Sequence, residues 1–70
     1  MKWGIQIIST ENWRSLDSAA LNELIFNTTP ILCRTVKDCF SLIGTKLPRV
    51  GHGYCGTVGK NTYIVTKYAF

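Results

Sequence analysis

Seventy residues, 46% of them apolar and 17% charged, describe a small globular chain and exclude a disordered one, whose composition is poor in hydrophobic residues. A chain of this size buries only about 60% of its unfolded surface, so a single domain over residues 1–70 with one modest core is expected. The net charge of +4 is uneven: up to Cys33 two cations face three carboxylates, and from Arg34 onward six cations face Asp38 alone.

"WGIQIIS" alternates Trp3, Ile5 and Ile7 on one face and is rich in β-branched residues, which predicts a first strand. In "NWRSLD", Ser15 and Asp17 are candidate caps for the helix that follows, with a short returning strand as the alternative. "SAALNELIFN" then places Ala20, Leu21, Leu24 and Ile25 at helical spacing, and "NTTP" ends it at Pro30. This helix is amphipathic and is expected to pack on a sheet. "PILCR" has the length of one buried strand. Thr35 with Asp38 three residues on resembles a capping box, and Val36, Cys39, Phe40 and Ile43 follow at i, i+3, i+4 and i+7 until Gly44. "GYCGTV" and "TYIVTKYAF" read as two strands about a three-residue "GKN" turn, with Tyr63 and Val65 on the face opposite Ile64, Tyr68 and Phe70.

The order strand, helix, strand, helix, hairpin predicts an α+β fold, a small two-layer sandwich with helices on one face of a mixed or antiparallel sheet. In it the glycine-rich stretch "RVGHGYCGTVGKNTY" is a bent hairpin entry, where Gly51, Gly53 and Gly56 supply a positive φ or the absence of a Cβ. Phosphate-loop readings of that stretch fail. A P-loop needs glycine where Tyr54 stands and Ser or Thr where Asn61 stands. The literal G-x-G-x-x-G at Gly51, Gly53 and Gly56 precedes no helix that could offer its N-terminus to a pyrophosphate. The G-x-x-G of "GYCG" and "GTVG" likewise lacks the helix of an RNA-clamping KH loop.

Cys33, Cys39, His52 and Cys55 are ligand types suited to a structural zinc, which makes a zinc-stapled mini-domain one alternative. The spacing favours core roles for Cys33 and Cys39, and no metal or other cofactor is assigned. His52 and Cys55 as base and nucleophile lie three apart on an extended segment, where they face opposite sides, and the four carboxylates are scattered; no catalytic residue is assigned.

Binding is the function that remains. Lys46, Arg49, His52, Tyr54, Lys60, Tyr63 and Lys67 interleave cations with aromatics on or beside the hairpin, as a partner-binding surface does. The partner is expected to be a protein, with nucleic acid as the alternative and a homodimer as a further option. No apolar run approaches the roughly 18 residues of a membrane span, and the opening residues do not read as a signal peptide. Three cysteines make no disulfide framework, so a reduced, cytoplasmic setting is expected.

The length, the single-domain economy, the Lys, Asn, Ile and Thr usage and the lack of an enzyme signature resemble the small proteins of bacteriophages and other mobile elements, among them anti-CRISPR inhibitors of host defence. The resemblance is one of class and carries no motif. It implies a non-enzymatic interaction or inhibitor protein that acts inside the cell by occupying a partner protein's surface.

Overall fold

The computed structural model describes residues 2–69, which run β1 (Lys2–Ser9), α1 (Thr10–Ser15), α2 (Ser18–Asn27), β2 (Ile31–Cys33), α3 (Val36–Ile43), β3 (Arg49–Val50), β4 (Gly53–Val58) and β5 (Asn61–Tyr68). The strands form one antiparallel sheet in the order β2-β1-β5-β4-β3. The expected α+β fold is therefore present, with the open choice between mixed and antiparallel pairing resolved to antiparallel. Phe70, expected on one face of the last strand, lies outside the described residues.

Pairing register sorts the side chains. Ile5 faces Val65, Ile7 faces Tyr63 and Trp3 faces Lys67 across β1 and β5, while Tyr54 of β4 faces Val65 from the other side. Residues directly opposite share a face, so these form one surface, and Gln6, Ile8, Thr62, Ile64 and Thr66 form the reverse. The core lies on the first surface. Ile5, Cys33, Cys39, Leu47 and Val65 are buried there, with Trp3, Phe40, Ile43, Tyr54 and Tyr63 packed around them.

The layer over this core is α3. Its start is capped as the sequence predicts: Thr35 Oγ1 accepts the Asp38 N–H at 3.1 Å, and its end is Gly44 at φ 91°. The i, i+3, i+4, i+7 stripe then places Cys39, Phe40 and Ile43 on the core.

The other helices belong to the reverse face, so the helices, expected on one face of the sheet, lie on both of its sides. Gln6, one residue out of phase with Ile5, donates from Nε2 to the carbonyls of Ile25 at 2.7 Å and Thr28 at 3.0 Å, tying the end of α2 to β1. Asp17 caps α2 by accepting the Ala20 N–H at 2.8 Å. Ser15 caps nothing; it is the last residue of α1, a short helix that the sequence reading did not contain. The residue that caps α1 is Ser9, which accepts from Asn12 N–H. Thr10 fixes α1 to the hairpin, donating its N–H to the Lys60 carbonyl at 2.9 Å and sharing hydroxyl contacts with buried Thr62.

Two local expectations are corrected. β2 is an edge strand rather than a buried one: Ile31 and Leu32 are exposed and only Cys33 is buried, because β2 pairs with β1 on one side alone. The final turn has two residues, since Val58 pairs with Asn61 around Gly59 and Lys60. Gly59 has φ 61° and Lys60 no positive φ, the pattern of a type II′ hairpin turn, and the Gly51–His52 turn repeats it with φ 60° at Gly51. The glycine-rich stretch is thus two hairpin turns and the strand between them.

Candidate basic–aromatic binding face

Four side chains meet at the end of the sheet where β1 and β4 begin and β5 ends. Trp3 and Tyr54 lie on the core-bearing face with ring centres 6.0 Å apart, and Tyr54 meets Phe40 edge-on at 5.1 Å. Edge and tilted contacts of this kind lock the rings in place, because the positive ring edge seeks the negative ring face. Lys67, across the pairing from Trp3, holds Nζ 5.9 Å from the indole centre. Arg49, across the pairing from Tyr54, is steadied by a 3.3 Å bond from Nε to the Gly51 carbonyl. Two exposed cations therefore flank a half-buried aromatic pair that rests on α3.

The strands that present this cluster carry charge of one sign. None of the five strands carries an Asp or Glu; Glu11 lies on α1, Asp17 and Glu23 on the cap and body of α2, and Asp38 on α3. A surface of cations with an aromatic centre repels other cationic partners and attracts acidic ones.

The seven residues expected to bind a partner do not form one patch. Arg49, Tyr54 and Lys67 come together as described. Lys46 is exposed on the loop between α3 and β3, and His52 is exposed in the β3–β4 turn. Tyr63 is half-buried against the core, a packing role shared with Val65. Lys60 sits in the β4–β5 turn, about 20 Å along the hairpin from Tyr54 at roughly 3.4 Å per residue. There it borders a separate hollow with Ser9, Thr10, Glu11, Arg14 and Gly59. Trp3 is the member that sequence reasoning missed. Its signal is non-local: only the β1–β5 register brings the start of the chain beside Lys67.

The zinc alternative loses its ligand set. Cys33 and Cys39 are buried on the α3 side, whereas Cys55 lines a cavity on the reverse face with His52. No group of three or more His, Cys, Asp or Glu among the described residues is placed to hold a metal ion. Cys39 is held protonated: burial, with a hydrogen bond to Cys33, pushes its thiol up to about 12. Burial also raises the Cys55 thiol, opposite to the depressed pKa of an activated nucleophile. Among the described residues no helix is long and apolar enough to cross a membrane.

No family model matches the chain, no curated protein is significantly similar to it, and no solved structure matches it significantly in fold.

Proposed function

We propose that this protein is a non-enzymatic binding protein that engages an acidic protein surface through Trp3, Tyr54, Arg49 and Lys67. The observation that carries the reading is the anatomy of that cluster: a packed aromatic centre flanked by cations, on a sheet without a carboxylate on any strand. Interface hot spots have this composition, Trp, Tyr and Arg at the centre with charge at the rim. A protein partner is favoured over nucleic acid because the Tyr54 ring is packed against both Trp3 and Phe40, which leaves it little open face for base stacking. The two flanking cations also offer few phosphate contacts. Three cysteines, an odd number scattered along the chain, make no disulfide framework, which supports a reducing setting. In the mobile-element class that the chain resembles, such a surface serves an inhibitor that occupies its partner's face.

The test is recovery of a partner from host extract with and without nuclease, followed by salt titration of the recovered complex. A nuclease-resistant partner whose affinity falls on Trp3→Ala and Tyr54→Ala by about 2 kcal/mol each, with salt acting mainly on the association rate, is the expected result. A partner that disappears with nuclease, and a log affinity falling linearly with log salt, would replace this reading by nucleic-acid binding.

A further inference from the structure

The reverse face of the sheet carries a cavity of about 620 Å³. Trp13 of α1, Ile25 of α2 and Ile64 of β5 line it, and each of the three is only half-buried. Pockets of about 300–1,000 Å³ with apolar walls and a few placed polar groups are the sites at which proteins hold small molecules.

The sheet gives this cavity two unlike ends. Ile64 pairs with Gln6, and Gln6 Nε2 donates to the Ile25 carbonyl at 2.7 Å, so Ile25 and Ile64 belong to one apolar end. At the other end Gly53 lies beside Thr66: a Cβ built on Gly53 would stand 3.2 Å from the Thr66 Cγ2. His52 precedes Gly53 and Lys67 follows Thr66, and both line the cavity. The two basic residues therefore share one end, about 10 Å along β5 from Ile64 at roughly 3.4 Å per residue. Lys67 is exposed, with Nζ 5.9 Å from the Trp3 ring centre at the end of the sheet, and its flexible four-carbon stem turns there to either face.

Charge selects the occupant. Among the described residues the lining holds no Asp or Glu, while His52, Thr66 and Lys67 bring hydrogen-bond donors to the basic end. An apolar body with one terminal carboxylate matches both ends: the body removes Trp13, Ile25 and Ile64 from water, and the anion meets the donors. A sugar phosphate would instead set its hydroxyls against Trp13 and Ile25 and leave them without partners. We propose that this cavity is a binding site for a small apolar monocarboxylate, its body between Trp13, Ile25 and Ile64 and its carboxylate at His52 and Lys67.

The test is an NMR titration of the full chain with 2-naphthoate and, separately, with its uncharged counterpart 2-naphthylmethanol. The expected result is saturable binding of 2-naphthoate that shifts the Trp13 indole, Ile25, Ile64 and Thr66 signals, at least tenfold tighter than that of the alcohol. His52→Ala combined with Lys67→Ala should bring the naphthoate affinity down to that of the alcohol and leave the alcohol's own affinity unchanged. Both positions are exposed, so the double variant should keep the wild-type spectrum elsewhere. Absence of saturable shifts at the lining overturns the proposal, as does naphthoate binding that the double variant leaves intact. Equal affinity for the two ligands also overturns it and assigns the cavity to uncharged apolar molecules. Shifts centred on Lys46 or Lys60 would overturn it as well, by showing general attraction of anions to the basic half.

Discussion

Lys67 Nζ stands 5.9 Å from the centre of the Trp3 ring, directly across the β1–β5 pairing and on the face that also holds Tyr54. The indole serves two purposes at this spot: one part of it packs on the core and the remainder carries the cation. Trp3→Ala should therefore lower stability by about 2 kcal/mol, less than for a fully buried tryptophan, and weaken partner binding as well. Lys67→Ala should leave the urea midpoint nearly unchanged and affect binding alone. Equal stability losses in the two variants would show that the cation, rather than the packing, holds Trp3.

Gln6 is the tie between α2 and the sheet. Gln6→Leu keeps the volume but leaves the Ile25 and Thr28 carbonyls without their donor, at a cost of about 2 kcal/mol. The damage should be local. Amide exchange in α2 should accelerate by more than that of the paired β1 and β5 amides. Uniform acceleration across both would mean that α2 and the sheet open as one unit.

Glycine is required at position 53 by space rather than by φ. A Cβ there would lie 2.6 Å from the Val65 carbonyl oxygen, a backbone atom of the central strand. At position 56 the nearest atom, at 2.8 Å, is the Leu47 Cδ2, which can rotate away. Gly53→Ala should cost about 2 kcal/mol and Gly56→Ala less, read from the two denaturation midpoints. The reverse order would show that the Leu47 loop is more rigid than the sheet.

Cys39 makes alkaline stability measurable at one residue. Its thiol is raised from 9.0 to about 12 in the folded protein, so between those values the native state binds the proton more tightly than the unfolded chain. The stability this contributes is complete below pH 9 and is lost as pH rises toward 12, with a slope of at most about 1.4 kcal/mol per pH unit. Denaturation midpoints measured over that range should fall more steeply in the wild type than in Cys39→Ala. Parallel slopes would place the alkaline transition on other groups.

Local features proved legible where one short segment contained the whole cause. The α3 cap at Thr35, its stripe through Cys39, Phe40 and Ile43, and the Asp17 cap of α2 each depend on residues within one or two helical turns. The helix α1 was not legible. Its cap at Ser9 is the last residue of a strand, and the helix is fastened by Thr10 to Lys60 and Thr62, about fifty positions away. β2 misled for a related reason: "ILC" has the apolar character of a buried strand, and only the strand order shows that it is an edge.

From its residues alone this chain is a single small α+β domain with a cationic C-terminal half, because hydrophobic period, caps and net charge are properties of neighbouring positions. The division of the basic and aromatic residues was decided by the tertiary structure. Antiparallel register carried Trp3 to Lys67 and Tyr54 to Arg49, while the length of the β4–β5 hairpin sent Lys60 to its far end. The cavity under α2 is likewise a tertiary matter. Its lining comes from Trp13 of α1, Ile25 of α2 and residues of β3, β4 and β5, which no single segment of the sequence holds together.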